Sequence, residues 1–218
     1  MAKKRVKRVK KDSGESKREV QLKMTVLFMI VLIITLAVFY MISTSSKKFG
    51  YAGIKFQPEK LGSKLFYTGN FPLLDSLGNV NSYLTVYFRE DPRKLGNISV
   101  DGNIIFKKKI AVAADSNFVY KCSDSLIAAT TLSQYLSKLG KTTFPATTNK
   151  TEALAMNRTY VACNNTSNYS VVEFIEGDET KIVGNADCYK FYVKNCDVMN
   201  ITERFMVAAY AQSKGIKI

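Results

Sequence analysis

The stretch MTVLFMIVLIITLAVFYMIS, Met24–Ser43, carries no charged residue, and its reading decides how much chain is left to fold. Roughly 20 apolar residues rising 1.5 Å each reach about 30 Å, the thickness of a bilayer's hydrocarbon core. The alternative is a buried core helix, and an unbroken run apolar on every side next to so basic a flank argues against it. A cleaved secretory signal would have a shorter apolar stretch behind a shorter basic region. Ser43-Thr44-Ser45 offers small residues for such a cut, but the long basic flank favours an uncleaved anchor.

Upstream of the run, residues 1–23 hold ten Lys/Arg against three acidic residues, half of the chain's net charge of +14. The cluster KKRVKRVKK, Lys3 to Lys11, lies where positive residues hold a flank in the cytoplasm. It predicts a cytoplasmic tail over 1–23, an anchor over 24–43 and everything after it outside. The same cations suit an anionic lipid surface. No nucleic-acid-binding motif accompanies them, so a nucleic-acid partner is not expected.

Downstream, the chain carries the marks of an exported domain. All four cysteines, Cys122, Cys163, Cys188 and Cys196, follow the apolar run, and an even count outside the cytoplasm reads as disulfides. Their spacings of 41, 25 and 8, with no histidine anywhere, do not suit zinc, whose ligands come in pairs two to four residues apart. No metal or other cofactor is expected. Asn97, Asn149, Asn157, Asn164, Asn165, Asn168 and Asn200 each begin an Asn-x-Ser/Thr triplet without proline, the acceptor pattern for N-glycosylation. The cluster Asn164, Asn165, Asn168 is expected to be modified most readily. Asn200 is expected least, because it and Glu203 are spaced as a helix capping box.

The rest of the chain predicts one domain. Residues 44–60, beginning SSKKFGYAG, read as a Ser/Gly linker, and 61–218 as the folded part. Strands are expected at Lys64–Thr68 and at VNSYLTVYF, Val80–Phe88, whose alternation has the period of two of a half-buried strand. EDPRKLGN after it reads as a single helical turn, with Asp91 as cap, Pro92 at the first position and Gly96 closing it. A strand near Asn103–Ala114 leads to a helix in CSDSLIAATTLSQYLSKLG, capped by Ser123 or Asp124 and stopped by Gly140. Four more strands are expected at Thr159–Cys163, Tyr169–Glu176, Thr180–Gly184 and Cys188–Lys194, with a hairpin at Gly177-Asp178. A final helix runs from Asn200 to Ser213. The expected fold is α+β: an antiparallel sheet covered on one face by two helices, behind one N-terminal transmembrane helix.

The segments YFREDPRKL, CSDSLIAATTLSQYL and DCYKFYVKNCDVMNITERF, together with the short anchor, resemble a group of small single-pass membrane-anchored proteins of ultra-small archaea. That resemblance covers most of residues 80–210. It implies location and fold, and it implies no activity.

Three functions remain open. The first is a cell-surface module that binds a partner protein or assembles with itself. The second is a pilin-like or envelope-lattice subunit packed through its apolar helix, although Glu19 and the residues around it lack a pilin processing signature. The third is an envelope enzyme working without histidine, the side chain that titrates nearest neutral pH. Ser125 with a lysine, or Asp115 with Asp124, would be its residues, and nothing in their spacing selects them. No CxxC redox pair is present. The first reading is preferred.

If the last four strands form a meander, Cys163 and Cys188 meet at one edge of the sheet, while Cys122 and Cys196 tie together the starts of two helices. Cys188 and Cys196 cannot pair across an extended strand about 26 Å long, because a bridge needs alpha carbons within about 7 Å; a sheet that places Cys163 beside Cys196 would instead pair Cys122 with Cys188.

Overall fold

The computed structural model of the chain describes residues 13–44, 48–74, 79–164, 168–185 and 187–218. Two compact units result, Met1–Ser46 and Lys47–Ile218.

The first unit is helix α1, Ser13–Thr44. Its 23-residue stretch Glu19–Met41 is long and apolar enough to cross a membrane, and its large side chains, Phe28 and Phe39 among them, are exposed. The two threonines within it do not break the apolar surface. The Thr25 hydroxyl donates to the Gln21 carbonyl at 2.9 Å and that of Thr35 to the Val31 carbonyl at 3.0 Å, so each polar group is satisfied inside the helix, as hydrocarbon requires. The basic cluster Lys3–Lys11 lies outside the described residues.

The second unit is α+β, but it has two sheets where one was expected. The first sheet is antiparallel with its strands in chain order: β1 Phe49–Tyr51, β2 Ile54–Leu61, β3 Lys64–Leu74 and β4 Val80–Phe88. Most of the segment read as a linker, 44–60, is therefore strand. Gly50, Gly53 and Pro58 punctuate it like a linker, yet β2 finds a full-length partner in β3, from Lys55↔Asn70 to Leu61↔Lys64. A two-residue turn, Gly62-Ser63, joins them, with Gly62 at φ +63° in the left-handed region that glycine tolerates.

The second sheet contains β5 Ser99–Asp101, β6 Lys109–Ala113, β7 Thr142–Ala146, β8 Ser170–Glu176, β9 Lys181–Asn185 and β10 Cys188–Val193. They lie in the order β5-β9-β10-β8-β6-β7, and only the β9/β10 pair is antiparallel. Parallel strands buried on both faces read as unbroken apolar runs. Ile110, Ala111, Val112 and Ala113 of β6 are all buried, so the strand shows no alternation. The meander and the hairpin at Gly177-Asp178 are not formed, because β10 inserts between β8 and β9. Thr159–Cys163 makes only a single bridge, Thr147↔Tyr160.

Five α-helices are present among the described residues, where three in all were expected. They are α1 and, in the second unit, α2 Ser116–Lys121, α3 Ser125–Lys138, α4 Lys150–Ala155 and α5 Val198–Ser213. A 3-10 turn at Lys94–Asn97 occupies the site of the expected helical turn. Helix α5 is buried on nearly all sides because it lies between the two sheets. Phe205 meets Phe191 of β10 at 4.7 Å between ring centroids, and Tyr210 meets Phe71 of β3 at 5.5 Å. Phe71 also meets Tyr135 of α3 at 5.4 Å, so α3 and α5 share the middle layer. A smaller cluster, with Ala111, Ala113, Ala146, Val161, Val171 and Cys188, fills the opposite face of the six-stranded sheet.

Candidate functional site

The cysteines meet in two pairs. Cys122, just after α2, lies with its alpha carbon 5.1 Å from that of Cys196, just before α5, and Cys163 lies 5.4 Å from Cys188 at the start of β10. The pairs are those drawn from the meander, but the route differs. Parallel pairing sets Cys188 opposite Val171 of β8, and the loop after Tyr160 crosses the sheet to bring Cys163 there.

The acceptor asparagines have different surroundings. Asn97, Asn157, Asn164 and Asn168 are exposed, while Asn165 lies outside the described residues. Asn149 caps α4, its side-chain oxygen accepting from the backbone N–H groups of Thr151 and Glu152, each at 3.1 Å. The capping role assigned to Asn200 is not observed: α5 begins at Val198, and Asn200 bonds to Asp197. Its supposed partner Glu203 turns inward, where Oε1 accepts from the backbone N–H of Arg89 at 2.8 Å and Oε2 has no hydrogen-bond partner among the described residues. Burial pushes its carboxyl up to about 8, against the backbone N–H groups of Arg89 and Glu90, which favour the charged form. The fold therefore favours the neutral form of Glu203. Nothing local in the sequence distinguishes it from a capping residue.

In open sheets of parallel strands, ligands bind beyond the carboxyl ends where the chain reverses its direction of travel across the sheet. Here that point is β6, since the chain goes from β6 to β7 on one side and returns through α4 to β8 on the other. Charged groups gather there, and they hold one another. Glu152 of α4 accepts from the Ser116 backbone N–H at 2.9 Å, the Ser116 hydroxyl at 2.8 Å and Arg158 at 3.0 Å. The Ser116 N–H, more than any other contact, holds this carboxyl below its ordinary value. Asp115 caps α2 by accepting from the Phe118 N–H at 2.7 Å, and Lys121 pairs with Glu176. A hollow of about 270 Å³ remains, bordered by Asp115, Lys121, Thr148 and Glu173.

The residues proposed for catalysis are not brought together for it. Asp115 serves α2, and Asp124 pairs with Arg89 at 2.6 Å. Ser125 is buried, and its hydroxyl donates to the Cys122 carbonyl at 2.6 Å.

An apolar groove of about 500 Å³ runs beside this crevice, between α3 and β7. Leu126 and Ala129, with the polar Thr130 and Ser133 and with Lys138 at one end, line its helical side, and Thr143 and Pro145 its strand side. At Leu126, Ala129 and Pro145 it joins a second hollow of about 290 Å³ under Arg158. Leu126 is 66% exposed, more than an ordinary helix-facing leucine. Strand β7 ends the sheet, paired with β6 alone among the described residues, and Pro145 is tolerated there because an edge strand has spare backbone positions. Sequence reading missed both walls' meaning, since β7 was not recognised as a strand.

The fold and groove define a three-layer α+β domain in a chain that begins with one apolar helix. No protein-family model, curated protein or solved structure matches the chain.

Proposed function

We propose that the chain is a membrane-anchored module, with its domain outside the cell, that binds an extended segment of a partner protein along β7. The observation that carries this reading is the outer edge of β7, which among the described residues is open over Thr142–Ala146, ahead of the Thr147↔Tyr160 bridge, and lies directly beside the groove. An edge strand offers backbone donors and acceptors to an added strand, and the adjoining groove takes alternate side chains. The outside location is supported by the basic flank of the apolar helix and by cysteines that meet in pairs. The enzyme reading is the weaker one, because around the crevice Glu152 pairs with Arg158, Lys121 with Glu176, and Asp115 caps a helix.

The test is a photo-crosslinking residue at Thr143 of the full-length protein on intact cells. We expect an adduct with a distinct protein, lost when Thr130→Arg places a cation in the groove and unaffected by the same change at Tyr87. Adducts with a second copy alone would favour self-assembly into a lattice. No adduct at Thr143 would remove the proposed site.

A further inference from the structure

The turn between β2 and β3, Lys60-Leu61-Gly62-Ser63-Lys64-Leu65, stands beyond the core. Leu61 is 45% exposed and Leu65 50%, and both lysines are exposed. Neither lysine forms an ion pair among the described residues. Register places Lys60 opposite Leu65 and Leu61 opposite Lys64. Directly opposed residues share a face of a ribbon, so each face of the tip carries one leucine and one lysine. A hairpin docking flat on a protein would concentrate its apolar residues on one face. One apolar group and one cation on each face suit a tip entering a lipid interface end-on, where lysine stems lie along apolar surface and the ammonium groups stay at headgroup level.

We infer that the Lys60–Leu65 hairpin tip inserts into the headgroup region of the bilayer that α1 crosses, its two leucines entering the interface and its two lysines meeting anionic lipid. This inference rests on the anchor reading of α1. It gives the domain a second attachment to the bilayer.

The chain has no tryptophan, so a single introduced one reports its own surroundings. Three full-length variants, Phe28→Trp in α1, Leu65→Trp at the tip and Leu126→Trp on α3, are reconstituted in phosphatidylcholine vesicles containing phosphatidylglycerol, with and without bromine on the acyl chains. We expect Phe28→Trp and Leu65→Trp to emit at shorter wavelength and to be quenched by the brominated lipid, and Leu126→Trp to do neither. Adding Lys60→Gln and Lys64→Gln to Leu65→Trp should relieve much of its quenching. Quenching of Phe28→Trp without Leu65→Trp would overturn the tip contact and leave the anchor standing. An unquenched Phe28→Trp would overturn the anchor and the tip contact with it. Equal quenching at Leu65→Trp and Leu126→Trp would show unspecific adsorption of the domain, and the tip assignment would fall. Quenching unchanged by the lysine substitutions would refute the role given to the cations.

Discussion

The two faces of the six-stranded sheet are built on opposite principles. The inner face presents Phe174, Ile182, Tyr189 and Phe191 to the middle helical layer, and all four are buried. The outer face presents Ala111, Ala113, Val171 and Cys188, which cluster with Ala146 and with Val161 and Cys163 of the segment after α4. Large side chains remove much apolar area from water, and roughly 25 cal/mol per Å² makes such a face self-sufficient. Alanines bury little, so the outer cover relies on other means: the Cys163–Cys188 link and the Glu152 contacts that tie α4 to Ser116. The inner face holds by packing, the outer by a covalent link and charge-assisted hydrogen bonds.

The sharpest way to break that contrast is Phe205→Ala. Phe205 is fully buried against Tyr189 and Phe191, and its truncation should cost about 3–5 kcal/mol of stability. Urea unfolding followed by circular dichroism measures it, and a cost no larger than that of Val161→Ala on the outer face would erase the distinction.

Next in size is removal of the outer link. Replacing Cys163 and Cys188 together by serine frees a loop with a sequence separation of 25, and chain entropy assigns about 3 kcal/mol to such a closure. Hydrogen exchange should rise first in the segment between α4 and β8 and leave the amides of α5 slow. Equal loosening of α5 would mean that the two faces unfold as one.

The third contrast is titration, in which Glu203 and Glu152 act with opposite sign. Glu203 is held at about 8 in the fold against an ordinary 4.5, so between those values the unfolded chain releases a proton that the fold retains. Its contribution to stability is complete below the ordinary value and is lost as pH rises towards 8, at about 1.4 kcal/mol per pH unit at the steepest. Glu152 is shifted the other way, so its contribution is present above the ordinary carboxylate range and lost as pH falls through its lowered value. Melting temperature should fall between about pH 4.5 and 8 in the parent and flatten there in Glu203→Gln, while Glu152→Gln should flatten only the fall at pH below the ordinary carboxylate range. Interchanged effects would show that the two carboxylates have been assigned to the wrong environments.

What could be read directly from the chain was local. An unbroken uncharged run is a helix able to cross a membrane whatever surrounds it, and the alternation of Val80–Phe88 and the stop at Gly140 are signals within a few residues of each other. Even there, burial exceeded what periodicity could say: β4 alternates throughout, yet only Val86 and Phe88 are buried, because the rest of the strand extends past the core. The cysteine pairs were reached from a sheet that does not form, since more than one strand order brings Cys163 beside Cys188.

Tertiary structure alone decided the remainder. β2 contains Pro58 and β7 contains Pro145, which argue against strands until an edge or a long partner accommodates them. The placing of β10 between β8 and β9 depends on pairings made far along the chain, where closing a loop costs entropy that no local pattern records. Asn200 and Glu203 have the spacing of a capping box, and the competing use of Glu203, an N–H 114 residues away, exists only after α5 has been enclosed between two sheets. Periodicity and capping are properties of neighbours in sequence, whereas strand order, the open edge of β7 and the protonation of a buried acid are properties of neighbours in space.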